Sequence, residues 1–160
     1  MPDYPASADA DFDVLRLENQ LCFALYAATR AIAKTYRQKL EPMGITYPQY
    51  LVLIVLWEQD GLTVTEIGNR LRLDSGTLTP LLQRLESMQL VRRKRSSKDE
   101  RVVQAFLAPK GEALKVDARD ARRFVACQLA MPEAQILALR ADLMGLVAQL
   151  DADDAVDAAE

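Results

Sequence analysis

Histidine is absent from this chain of 160 residues. That removes imidazole from both acid–base catalysis and zinc ligation. Cysteine is scarce: Cys22 and Cys127 stand about a hundred residues apart, with no Cys-x-x-Cys spacing. They make a poor metal site. Glycine is scarce too, and none of the six builds a phosphate-cradling loop or a GxSxG elbow. A conventional enzyme is therefore not expected, and neither is a metal or a cofactor. No apolar run of about 18 residues free of charge occurs, so no transmembrane helix and no membrane partner are expected. The opening MPDYPASADADFD is acidic and lacks a secretory pattern. The protein is expected in the cytoplasm, where two cysteines do not hold a lasting structural disulfide. They are either inert core residues or redox-active ones. What the chain does have is apolar content, half of all residues. That is ample for one domain with helical extensions, and it hints at a buried subunit interface.

The organising stretch is 63–101, TVTEIGNRLRLDSGTLTPLLQRLESMQLVRRKRSSKDER. Thr63 and Glu66 form a capping box, and Ile67 with Leu71 gives the helix an apolar face. The pattern breaks at Leu73-Asp74-Ser75-Gly76, where Asp or Ser caps a second helix. That helix, about 75–88, buries Leu78, Leu81, Leu82 and Leu85. Its other side carries Ser75, Thr77, Thr79, Gln83 and Arg84, which are hydrogen-bonding types suited to phosphates and base edges. This is the pattern of a helix-turn-helix over 63–88, with the second helix reading DNA. Pro80 leaves two starts open, near Ser75 with a bend or near Thr79. The cap signal favours Ser75.

A basic ribbon follows over 90–107. Leu90–Arg95 reads as a strand, 96–100 as a turn and 102–107 as a second strand. Residues 92–101 hold six cations against two anions, a balance near +4 in a chain of net −3. Positive charge concentrated beside a helix-turn-helix is the footprint of a phosphate binder. The plainer reading is a solvated hairpin tip.

On either side lie helices. Residues 1–12 are polar and expected to be mobile. Asp11 or Asp13 caps a helix from about Val14 to Leu40, with Leu17, Leu21, Leu25, Ala28 and Ile32 as its stripe and Cys22 in its second or third turn. Thr46-Tyr47-Pro48-Gln49 starts a core helix that is apolar almost all round. Pro109-Lys110-Gly111 opens a long helix to about Ala130. A last one covers about 133–150, and 151–160 is expected to be a disordered acidic tail. The terminal helices have little to cover within one chain, which points to a two-fold homodimer reading a pseudo-palindromic duplex operator. The fold class is mainly α with a small β-wing: a winged helix-turn-helix flanked by N- and C-terminal dimerisation helices, over 13–150.

With Asp99-Glu100-Arg101 at the ribbon tip and Leu107-Ala-Pro-Lys-Gly111 after it, the chain resembles the MarR family of winged-helix repressors. The likeness covers about 14–150. It implies a recognition helix in the major groove and a wing arginine, Arg101, in the minor groove, braced by Asp99; Arg95 and Lys98 of the basic ribbon are further candidate DNA contacts. Ala108 stands where that family usually has Thr, which weakens the cap of the next helix. Within the family, the first half is similar to the organic hydroperoxide resistance regulators. That likeness rests on Cys22 followed by Tyr26, Tyr36 and Tyr47, and on LRLDSGTLTPLLQRLE. It implies that Cys22 is a peroxide sensor held by those tyrosine hydroxyls. Cys127 resembles the resolving cysteine of a two-cysteine branch, which forms an intersubunit disulfide after organic hydroperoxide oxidises the sensor.

The residues themselves bear on that chemistry. The thiolate is the nucleophile toward peroxide. No Lys or Arg lies within four residues of Cys22, so activation would come from hydrogen-bond donors or a helix dipole. Leu21, Phe23 and Leu25 would make the surroundings apolar, favouring an organic peroxide. A lone cysteine is more often a small buried hydrophobe. The rival functions are a repressor released by a small aromatic ligand, a thiol peroxidase and a purely helical interaction module.

Overall fold

The computed structural model describes residues 13–95 and 101–157, with side chains through residue 152. The chain divides into two compact units, one up to Val125 and one from Ala126 on. In order, the elements are α1 (Leu21–Leu40), α2 (Tyr47–Glu58), β1 (Leu62–Thr63), α3 (Val64–Leu71), α4 (Ser75–Ser87), β2 (Val91–Arg95), β3 (Val103–Leu107), α5 (Pro109–Ala113), α6 (Lys115–Leu129) and α7 (Glu133–Asp157). Among the described residues, no helix is long and apolar enough to cross a membrane. The expected mobile stretch 1–12, Asp11 as a cap, the turn at 96–100 and the last three tail residues lie outside the described residues.

The first unit is built around α2. Gln49 accepts from the Thr46 N–H at 2.9 Å, and Pro48 sits in the first turn, where its missing N–H costs nothing. Val52, Leu53 and Leu56 are fully buried, as expected for a helix apolar on nearly every side. The capping box at Thr63 and Glu66 closes in both directions and starts α3. Asp74 accepts from the Thr77 N–H at 2.8 Å and starts α4, so the earlier of the two starts holds and Pro80 lies inside the helix. Pro80 is exposed, and so is Gly76, whose carbonyl loses its helical partner to the missing N–H and faces water instead. Leu78, Leu82 and Leu85 have no exposed surface. Each such burial contributes roughly 1.5–3 kcal/mol.

The sheet has three antiparallel strands in the order β1-β3-β2. Val91 pairs with Leu107 and Arg95 with Val103, so the ribbon forms where the β-formers predict it. The two-residue β1, which pairs Leu62 with Ala105, carried no sequence signal of its own.

Three expectations about the helices are corrected. The first helix does not run from Val14. A 3-10 turn occupies Leu17–Asn19, and α1 begins at Leu21. The Asn19 amide donates to the Asp13 carbonyl at 2.8 Å, and the Gln20 amide to the carbonyls of Val14 and Arg16. These side chains take carbonyls that a continuous helix would use. Cys22 is therefore the second residue of its helix, not in a second or third turn. The helix opening at Pro109 breaks at Leu114 into α5 and α6. Ala108 offers α5 no side-chain cap, and the Trp57 indole donates to the Gly111 carbonyl at 3.1 Å, which a continuous helix would give to Lys115. Finally, α7 does not stop at 150 but continues to Asp157, although four of the seven added residues are aspartates, which are weak helix formers.

In the second unit no described residue is buried, and Leu137, Leu139, Met144 and Leu150 are exposed.

Candidate functional site

The outer face of α4 follows from its buried one. With Leu78, Leu82 and Leu85 inward, the helical period places Ser75, Thr77, Gln83 and Arg84 outward, and all four are exposed. Thr79 is half-buried. Thr77 is engaged in the cap: its hydroxyl donates to Asp74 at 2.9 Å, as its N–H does. The same bonds hold the Asp74 carboxyl below its ordinary range.

The cations of the wing are not equivalent. Arg92, Arg95 and Arg101 are exposed, and the Lys94 ammonium lies 5.7 Å from the Phe106 ring centroid. Lys98 and Asp99 lie outside the described residues. Arg93 differs. Its guanidinium donates twice to one Glu86 oxygen, at 2.8 and 2.7 Å, and its N–H donates to the other at 2.9 Å. These bonds, side chain first, hold the Glu86 carboxyl below its ordinary range. One of the six cations of the sequence count is thus matched by a carboxylate from α4.

Cys22 is exposed at the start of α1, and among the described residues no hydrogen bond reaches its sulfur. Its apolar neighbours do not enclose it: Leu17, Leu21 and Phe23 are exposed as well. Tyr26 lies one turn on, where its hydroxyl accepts from Arg30 at 2.7 Å. Tyr36 and Tyr47 come together, with ring centroids 4.9 Å apart. Tyr50 completes this cluster, 5.4 Å from Tyr36 and 6.1 Å from Tyr47. Burial pushes Tyr36 up to about 12, with the neighbouring Tyr50 adding to it and Arg122 opposing. Burial raises Tyr47 and Tyr50 as well. All three hydroxyls therefore stay protonated at neutral pH, and that of Tyr36 is already hydrogen-bonded to Tyr50.

Beside this cluster, a cleft of about 880 Å³ runs between α1 and the start of α2. Arg30, Lys34, Arg37 and Tyr47 line it, with Glu41. Cys127, in the second unit, is also exposed.

Two features of the candidate site carry no signal that the sequence analysis used. Tyr50 stands three residues after Tyr47, one helical turn along α2, a spacing that was there to be used. The Glu86–Arg93 pair joins a helix to a strand seven residues on, and no periodicity predicts it.

Residues 34–117, a little over half of the chain, match the family described as transcriptional regulator SarA/Rot. The organic hydroperoxide resistance transcriptional regulator of Bacillus subtilis (strain 168) is 53% identical over 109 residues, 68% of this chain and 74% of that protein. The HTH-type transcriptional regulator TtmR of Methylorubrum extorquens (strain PA1) is 59% identical over 103 residues, 64% of this chain. The chain spans only 53% of that relative's length. Among solved structures, reduced AbfR bound to DNA aligns with a TM-score of 0.75 at 36% identity, covering 89% of this chain and 99% of that one. Its disulfide form aligns at 0.62 and 35% identity, covering 88% and 99%. AbfR is a Staphylococcus epidermidis protein.

Proposed function

The chain belongs to the MarR/SarA family of winged-helix transcriptional regulators, and from that premise we propose that it is a cytoplasmic, dimeric repressor whose grip on operator DNA is broken by organic hydroperoxide at Cys22. Its relatives are regulators, not enzymes. The observation that carries the reading is the thiol itself. Cys22 lies in the first turn of α1, within an uncovered apolar patch. Backbone N–H groups there lack helical partners, and negative charge is favoured. A patch of this kind marks an interface. A second copy of the chain is the occupant that also covers the exposed leucines of α7. Closing the patch would surround Cys22 with apolar groups and admit a peroxide with a greasy tail. Tyr26, one turn along α1, supplies a hydroxyl donor to sulfur or to the leaving oxygen; Tyr36 lies roughly 21 Å along the same helix from Cys22 and Tyr47 packs against it, so these two would serve the Cys22 of the second copy.

The chemistry balances in two steps. The Cys22 thiolate attacks the terminal oxygen of ROOH, the O–O bond breaks, and RO⁻ leaves with a proton as the alcohol. Sulfur is thereby oxidised to the sulfenic acid. The partner subunit's Cys127 thiolate then attacks that sulfur and displaces hydroxide, which leaves as water once protonated, and an intersubunit disulfide forms. Cellular thiols reverse it by exchange. Linking the terminal helices changes the spacing of the two α4 helices, and the match to two half-sites about 34 Å apart is lost. AbfR, a relative in shape, has both a reduced DNA-bound form and a disulfide form.

Non-reducing electrophoresis after one equivalent of cumene hydroperoxide tests the second step. A covalent dimer is expected from the parent and none from Cys127→Ser. A dimer that persists in the variant removes Cys127 from the mechanism.

In the duplex-bound state, Ser75, Thr77, Thr79, Gln83 and Arg84 face the major groove, and Arg95, Lys98 and Arg101 serve the wing, with Asp99 bracing Arg101. Arg101→Ala is expected to weaken binding and lower the slope of log affinity against log salt by about 1. An unchanged slope would take Arg101 off the phosphates and grooves altogether.

The cleft favours a second reading, release by an aromatic carboxylate. Arg30, Lys34 and Arg37 would meet the carboxylate and Tyr47 the ring.

A further inference from the structure

The strand order leaves β2 at one edge of the sheet, paired only with β3. An edge strand turns alternate N–H groups outward, without partners. Glu86, on the last full turn of α4, takes the outward N–H of Arg93 and clasps its guanidinium with the other oxygen. Three charge-assisted bonds therefore tie the middle of β2 to α4. The other end of this tie is packed into the core, since Leu82 and Leu85 on α4 are fully buried. Arg95 lies two residues beyond Arg93 and is the last residue of β2.

We propose that the Glu86–Arg93 pair is a strut that sets the angle of the wing against α4, and that it positions the DNA contacts of both without touching DNA itself. The inference rests on the DNA-binding reading above and adds a residue pair that reading does not use. A tilt of β2 about its paired edge would carry Arg95 away from the backbone that α4 addresses. Fixing the angle beforehand spares the complex the cost of ordering the wing on binding. The pair is not a large stability element. Its side chains are 27% and 37% exposed, and solvent screens it accordingly. Its effect belongs in binding.

The probe is a fluorescent duplex selected by the parent protein from a random pool, titrated across a salt series. Glu86→Gln is nearly isosteric and removes a negative charge close to the phosphates. Through space alone that change would tighten binding. The strut requires the reverse, a loss of about three- to tenfold. Arg93→Gln should lose a similar factor with an unchanged salt slope, because Arg93 neutralises no phosphate. The double variant should bind no more weakly than the weaker single one. Thermal melts of all three should stay within a few degrees of the parent. Hydrogen exchange at the Arg93 amide should quicken in Glu86→Gln even without DNA. Equal or tighter binding by Glu86→Gln overturns the strut, as does a slope reduced by about 1 in Arg93→Gln. A parent protein that selects no duplex overturns instead the DNA-binding reading on which the strut depends.

Discussion

Cys22→Ser is expected to bind operator DNA as the parent does and to stay bound when organic hydroperoxide is added. The oxygen of serine is a poor nucleophile toward peroxide, and serine has no sulfenic acid to form. The parent should lose roughly ten- to a hundredfold in affinity on oxidation, the usual scale of coupling between two sites. The variant should lose none. Fluorescence anisotropy on the selected duplex, with and without cumene hydroperoxide, reads both numbers. Cys22 has no hydrogen bond among the described residues and is exposed within its own chain. The substitution therefore removes a reaction and leaves the packing of the first unit intact. An aromatic carboxylate such as salicylate, added in parallel, separates the second reading. Release by salicylate in both proteins, with hydroperoxide inert in both, would move the trigger from the thiol to the cleft beside Tyr47. Release of the variant by hydroperoxide would end the sensor role of Cys22 outright.

Gly111→Ala is expected to give the largest loss of stability of any single methyl added to the first unit. A Cβ at 111 would lie 2.1 Å from the Leu90 carbonyl oxygen and 3.0 Å from its carbon. Both are backbone atoms, and Leu90 is itself buried. No side chain can turn aside to make room. Leu90 accepts from the Ala108 N–H at 3.0 Å, so the start of α5 is laced to the end of the helix-turn-helix at this point. Moving α5 outward would break that bond and pull the Gly111 carbonyl from Trp57. The overpacking and the two lost bonds together cost roughly 2–4 kcal/mol. At about 2–4 °C per kcal/mol, the melting temperature should fall by roughly 5–15 °C, measured by circular dichroism. A melt within a degree or two of the parent would show that α5 is free to move. Gly111 after the wing is therefore there for its missing side chain, since a Cβ would strike the Leu90 backbone.

The legible parts of the site were those written in local chemistry. The capping boxes at Thr46 and Thr63 and the cap at Asp74 each name a helix start within four residues, and each was found where the spacing put it. Leu78, Leu82 and Leu85 define the inner face of α4 by period alone, and with it the outer face. Misreadings arose where a local choice had a competitor. Asn19 and Gln20 read as ordinary helical residues until their amides fold back on the carbonyls before them. The cation count over 92–101 treated Arg93 as available, whereas a carboxylate seven residues earlier holds it.

From the order of its residues alone, this chain was bound to form a helix-turn-helix with a basic ribbon after it, since caps, breakers, apolar periods and β-formers act over a few neighbours. The resemblance carried by the wing and by the Cys22–tyrosine spacing added a family to that frame. Only the tertiary structure could decide which groups meet across the fold. It closed Tyr36, Tyr47 and Tyr50 into one protonated cluster, tied the wing to α4 through Glu86, and put Leu90 against Gly111. It also left Cys22 uncovered, at a helix start no periodicity located. The division is physical. Helix and strand signals are short-ranged and written in consecutive residues, whereas a contact between distant segments exists only after the core has fixed where each one lies.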